Sequence, residues 1–219
     1  MKKVFIVLAA VVLCASIAVG QSQTKPVVYV GGGIGMPLSP AFFKDYWKMG
    51  INFGGGVGIT VGPKMELIGK VHFYNFPSDM DKLLVYLDIF TPDELAALKA
   101  AGIDISGMNT KFLAFGADFK YSFSKTEEIG FQPYSIVGLE MVNIKYSDLK
   151  VSGGGAEISV PVGFGSVTKF GFSGGLGFDY MFSPTMGFWL NGRVGMVLTE
   201  GDSFTYLPFQ AGLKFMFGK

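Results

Sequence analysis

Apolar residues alternate with polar or tiny ones along most of the chain, the period of two expected of strands with one greasy face. The pattern is clearest over 204–217. There Leu207, Phe209, Ala211, Leu213, Phe215 and Phe217 take the odd positions and Gln210, Gly212 and Lys214 the even ones, with Met216 the exception. The same reading predicts seven earlier strands, over 27–36, 50–61, 64–75, 111–123, 131–146, 168–182 and 186–198. In 50–61, Ile51, Phe53, Val57, Ile59 and Val61 oppose Asn52, Gly54, Gly56, Gly58 and Thr60. The 131–146 segment is the least regular, and its register sets Val137, Leu139 and Met141 against Glu140. One helix is expected in the longest connection, 77–109. Thr91-Pro92-Asp93-Glu94 is a capping box with proline at the first helical position, and the helix stops at Gly102.

Connection lengths organise the strands. Those after the second, fourth and sixth strands are short, and those after the first, third and fifth are long; only the one after the seventh breaks the trend. A long strand near the chain end leaves an exposed edge unless another strand pairs with it, and in a closed barrel the first strand does so. The expected fold is therefore all-β: an eight-stranded antiparallel up-and-down transmembrane β-barrel with one short helix in a long extracellular loop. Each strand has roughly the 9–11 residues or more that a tilted crossing of a bilayer needs. Short turns on one side and long loops on the other are the asymmetry of outer-membrane barrels. In this topology Phe119, Tyr121, Phe123, Phe131, Tyr180, Phe182, Phe188, Phe215 and Phe217 share the short-turn end, as an aromatic girdle would.

Composition decides which face is inside. The chain has 32 Gly and 22 Phe with only 16% charged residues, and its mean hydropathy is +0.41. After the N-terminus no run of about 18 apolar residues occurs, so helical membrane spans are excluded. A soluble lipocalin-like carrier would share the alternation with its apolar face turned inward. The interior of an eight-stranded barrel, however, is just wide enough to be filled by side chains. The Phe-rich faces would overfill it and the Gly-rich faces fit. The chain also lacks the Gly-x-Trp pattern that lipocalins usually carry near the first strand.

The inward set is then Glu66, Lys70, His72, Asp118, Lys120, Glu140, Lys169, Asp179, Arg193 and Lys214. Buried charges persist only when paired and hydrogen-bonded, so these residues are expected to form a polar plug. A narrow pore gated by exchange of ion-pair partners is the sharper alternative, and a proton-relay or catalytic role a third. The glycine runs 31–35 and 54–58 do not fit the dinucleotide fingerprint, and Gly62-Pro63 fails the phosphate-loop spacing. His72 is the only histidine, Cys14 the only cysteine, and the usual zinc constellations are excluded. No catalytic residue, cofactor or metal site is expected.

Lys2 and Lys3 followed by the apolar run 4–18 and the small residues Ala18 and Gly20 read as an export signal over 1–20, leaving 21–219 as the barrel domain. Leu13 is too large for a lipoprotein site ahead of Cys14. Without Lys2 and Lys3 the chain carries 16 basic and 17 acidic residues, which leaves no footprint for nucleic acid. The loops are greasy for surface connections. Phe42, Phe43, Tyr46 and Trp47 form one cluster, and Leu83, Leu84, Val85, Tyr86, Leu87, Ile89 and Phe90 another. They are expected either to cap the barrel mouth or to present a contact patch to a partner, a host surface or lipopolysaccharide.

Gln210-x-Gly212-x-x-Phe215-x-Phe217 resembles the polar-x-Gly-x-x-hydrophobic-x-hydrophobic signal on the last strand of outer-membrane barrels, which the barrel-assembly machinery reads. Bacterial examples usually stop at the aromatic, whereas Gly218 and Lys219 follow here. By strand count, loop asymmetry and this signal, residues 26–217 resemble the small OmpA- and OmpX-type barrels. The resemblance implies the outer membrane of a Gram-negative-type bacterium, contact with its lipids and lipopolysaccharide, and a non-enzymatic structural or adhesin-like role. Narrow pores and lipid A enzymes also occur among such barrels, but no catalytic motif carries over. No peptidoglycan-binding domain is expected after the barrel.

Overall fold

The computed structural model describes residues 25–125, 128–163 and 165–217; the expected export signal, Gly218 and Lys219 lie outside them. The strands in chain order are β1 (Pro26–Ser39), β2 (Gly50–Gly62), β3 (Met65–Phe76), β4 (Asp104–Gly107), β5 (Thr110–Ser122), β6 (Gly130–Tyr146), β7 (Leu149–Gly153), β8 (Ala156–Val160), β9 (Val167–Ser183), β10 (Met186–Val197) and β11 (Phe204–Met216). Eight of them close into an antiparallel barrel in the order β1-β11-β10-β9-β6-β5-β3-β2. All eight long strands expected from the alternation are present, with ends shifted by up to three residues. Closure runs from Val27↔Met216 to Met36↔Leu207 and beyond, so first and last strands cover each other's edges.

The pleat sends the large apolar side chains outward. Val57, Leu139 and Leu176 are 62%, 60% and 66% exposed, whereas Glu66, Asp179 and Lys214 on the other face are fully buried. At the short-turn end the outward aromatics meet: Tyr180 stacks on Phe188 at 5.6 Å, Phe131 lies 5.0 Å from Phe178, and Tyr121 lies 6.0 Å from Phe123. Glycines make room inside. A Cβ on Gly54 would lie 2.1 Å from the His72 ring, and one on Gly138 would lie 2.1 Å from Asp118 Oδ1. The narrow lumen holds these large side chains because glycine stands at the paired position on the neighbouring strand, Gly54 beside His72 and Gly138 beside Asp118.

The long loops carry more structure than the alternation predicts. Three helices form instead of one: α1 (Ala41–Tyr46), α2 (Met80–Tyr86) and α3 (Pro92–Ala100). In α3 the Thr91 hydroxyl accepts from Glu94 N–H, while the Glu94 carboxylate accepts from Thr91 N–H at 2.8 Å. The six residues of α1 are too few to show a 3.6-residue period. In α2, Met80, Leu83 and Leu84 do stand at helical spacing, and they pack with Leu95 of α3 into a small core. The Gly-rich connection after β6 also contains β7 and β8, which join β4 in a second sheet ordered β4-β7-β8. Together these elements form a folded headpiece at the long-loop end.

Candidate functional site

The lumen is built in tiers. Nearest the short turns, Glu66 (β3), Lys120 (β5), Asp179 (β9) and Lys214 (β11) converge with Tyr29 (β1). Lys214 Nζ lies 2.7 Å from Glu66 Oε1 and 2.7 Å from Asp179 Oδ2. Lys120 Nζ lies 2.5 Å from Asp179 Oδ2 and 3.5 Å from Glu66, and donates to Tyr29 Oη at 2.8 Å. The Tyr29 hydroxyl in turn donates to Glu66. Lys120 also sits 4.1 Å from the Tyr134 ring centroid, a desolvated cation–π contact. Two ammoniums and two carboxylates balance within this tier.

The second tier lies at mid-barrel and balances in the same way. Lys70 bridges Asp118 at 2.8 Å and Glu140 at 2.9 Å, and Arg193 donates to Asp118 at 2.6 Å. Arg193 Nε donates to Asn191, and the Tyr206 hydroxyl donates to Glu140 at 3.0 Å. His72 completes the layer: its Nδ1 accepts from Gln210 Nε2 at 3.1 Å, and that amide also donates to Asn52. Between the tiers lies a cavity of about 30 Å³, lined by Tyr29, Lys70, His72, Asp118, Lys120 and Arg193 among others. It is on the scale of a single water molecule.

Nine of the ten inward residues expected from the alternation thus come together. Lys169 does not: it stands near the loop end of β9 and pairs with Glu200 at 2.8 Å at the barrel rim, partly exposed. Alternation sets the face and carries no information about depth. The residues named from the last-strand signal separate: Gln210 is buried in the lumen, Phe217 is exposed, and Gly212 and Phe215 are half-buried. Tyr29, Tyr134, Tyr206, Asn52 and Asn191 belong to the network but are absent from the sequence-based set. Each has inward parity, which was the available signal.

Above the charges the lumen is apolar, contrary to the expectation of a small and charged interior throughout. Tyr74, Phe76, Phe112, Val142, Ile144, Val197 and Tyr206 fill it at the loop end. From α1, Phe43 enters this cluster, 5.2 Å from Phe76 and 5.1 Å from Phe204, with Trp47 buried behind it. Of the four loop aromatics expected to act together, Phe43 and Trp47 therefore cap the mouth. Phe42 stays 41% exposed and Tyr46 half-buried. A cleft of about 810 Å³ opens between the three helices, where Tyr46, Tyr86 and Leu95 stand beside Lys44, Lys82 and Lys99.

A closed barrel with an apolar outer surface and ion pairs inside is a transmembrane β-barrel. Residues 5–217 match the family described as outer membrane protein beta-barrel domain, and the chain belongs to that family. It is an outer-membrane protein. Among solved structures, Neisserial surface protein A is similar at 14% identity and TM-score 0.52, covering 90% of this chain and 98% of its own. OprG from Pseudomonas aeruginosa is similar at 14% and 0.52, covering 91% and 99%. A major outer membrane protein from Thermus thermophilus gives 11% and 0.54, covering 90% and 100%. These likenesses show the fold. Comparison with curated proteins finds no match.

Proposed function

We propose that the chain, exported by the signal at 1–20 and inserted through the last-strand signal by the barrel-assembly machinery, is a non-enzymatic barrel with a plugged lumen. Its role is structural or adhesin-like and is exercised through the headpiece. One observation carries the reading: the lumen's charges are spent on one another in two neutral tiers beneath an aromatic stopper, while the loops fold into a headpiece with an open cleft. Buried ion pairs of this geometry are costly to break, which supports a fixed plug over a relay. Outer-membrane lipid and lipopolysaccharide surround the barrel, and a surface partner meets the headpiece.

A gated narrow pore is the second reading, favoured by Lys70, whose ammonium is shared between Asp118 and Glu140 and so has a partner to exchange. Reconstitution into planar bilayers separates the two. The plug predicts a heat-modifiable band on a denaturing gel and no unitary current steps; recurrent steps that vanish in Lys70→Met would establish the pore.

The assignment of faces has its own test. Leu139→Arg, on the outward face near the middle of β6, is expected to destabilise the barrel in lipid by about 2–4 kcal/mol, and Phe131→Arg near the interface by about 0–1 kcal/mol. Urea unfolding in vesicles measures both, and equal costs would contradict the depth assigned here.

A further inference from the structure

The headpiece carries apolar side chains that no other described residue covers. Phe42 on α1, Tyr86 at the end of α2, and Leu87 and Ile89 just beyond it are all exposed. The rings form one patch: Phe42 lies 5.1 Å from Tyr46 and 5.7 Å from Tyr86, and Tyr46 lies 4.7 Å from Tyr86. Exposed apolar residues of the barrel wall lead up to α1 along the chain. Ile34 and Leu38 are exposed on β1, and Ile51 on β2 with Met49 just ahead of it; α1 begins two residues after β1 ends.

Height fixes where this patch sits. Ten residue steps separate Val28 from Leu38. At about 3.3 Å per residue on a strand tilted by about 40° they rise roughly 25 Å, the height of the apolar band of such barrels. The first helix therefore leaves the barrel at the outer interface of the bilayer and not above it. Aromatic rings beside lysines are the side chains that settle at that level. Lys44 lies on α1 and Lys82 on α2. Among the described residues Lys44 makes no ion pair, and Lys82 reaches only Asp79, at 3.6 Å.

We propose that this face of α1 and α2 lies on the outer leaflet of the membrane that holds the barrel. Phe42, Tyr86, Leu87 and Ile89 enter the boundary between headgroups and acyl chains, and Lys44 and Lys82 meet lipid phosphates. The headpiece is thus anchored on one side, over β1 and β2; the cleft that Lys44, Lys82 and Tyr86 help to line borders the membrane on that side, and a surface partner is left the solvent-facing remainder of the headpiece. This inference rests on the barrel being membrane-inserted, as the proposed function holds.

Spin labels test it. Tyr86→Cys, Ile89→Cys, Val137→Cys and Ala156→Cys are made singly in a Cys14→Ser chain and reconstituted in phosphatidylcholine vesicles with or without phosphorylated lipid A. The ratio of collisions with oxygen to collisions with a water-soluble nickel chelate is read at each label. Positions 86 and 89 are expected to approach the high ratio of lipid-facing 137 and to exceed that of 156, near the tip of the β7–β8 hairpin. Adding Lys44→Glu with Lys82→Glu is expected to lower the ratio at 86 and 89 in the lipid A vesicles and to leave 137 unchanged. Ratios at 86 and 89 equal to that at 156 overturn the proposal. So does protection from both reagents, which would mean that protein, such as a second copy, covers the face. No response to the lysine changes overturns the phosphate contact. A low ratio at 137 is a different failure, that of membrane insertion itself.

Discussion

Lys214→Met is expected to destabilise the folded barrel by about 3–5 kcal/mol, the cost of leaving a buried charge without its partner. The Lys214 ammonium is fully buried and bridges Glu66 and Asp179 at 2.7 Å each. Without it, two carboxylates share the single ammonium of Lys120, and the tier holds an uncompensated negative charge. Methionine keeps most of the aliphatic stem, so little of the loss comes from packing. Asp179→Asn alone should be similarly harmful, because Lys120 and Lys214 would then share Glu66. The two together restore the balance as one ammonium, Lys120, against one carboxylate, Glu66, 3.5 Å apart. Much of the loss is therefore recovered in the double variant, giving a strong coupling in a double-mutant cycle. Urea unfolding in lipid vesicles, followed by tryptophan fluorescence and by the heat-dependent gel shift, gives all four stabilities. Additive losses would mean that the tier does not act as a unit.

The legibility of this fold follows from its solvent. A lipid-facing strand presents apolar residues at alternate positions, so β2 and β11 announce themselves through Ile51, Phe53 and Val57 and through Phe209, Leu213 and Phe215. The charges opposite them stand out for the same reason, and Glu66, Lys70, Asp118, Lys120, Glu140, Asp179, Arg193 and Lys214 are readable as lumen residues. What alternation lacks is depth. Lys169 has the parity of Ser173 and Asp179, yet β9 begins at Val167, so it reaches only the rim.

The aromatic stopper is hidden for a related reason. Tyr74, Phe112 and Tyr206 have inward parity, but an apolar residue on the inward face erases the polar–apolar contrast that reveals a strand. Extending the parity of Lys70 and His72 to Tyr74, or of Asp118 to Phe112, would have placed them. The second sheet had no such signal. The pairing of Ile105 with Val151 joins segments far apart in the chain, and strands of four or five residues are too short to show a period. The apolar residues between Leu83 and Phe90 were visible as greasy loop positions; which of them the small core covers depends on tertiary packing with Leu95 and Leu149.

Phe112→Ala is the corresponding test of the stopper, with an expected cost of about 3–5 kcal/mol for a large side chain removed from a packed interior. Phe112 is fully buried. Its ring lies 5.4 Å from Phe76, 5.6 Å from Tyr206, 6.0 Å from Phe204 and 6.1 Å from Phe43. Those partners stand on β3, β11 and α1, so collapse into the void would require strands fixed by their ladders to move. Phe43→Ala removes a ring from the same cluster but from a six-residue helix that can shift. It is expected to weaken the attachment of α1 more than the barrel. Trypsin cleavage after Lys44 or Lys48 should therefore accelerate in Phe43→Ala while the urea midpoint moves less than in Phe112→Ala. A small loss in Phe112→Ala would mean that the mouth tolerates a void and is not closed by packing. Equal midpoint shifts in the two variants would make α1 an integral part of the barrel core and not a lid resting on it.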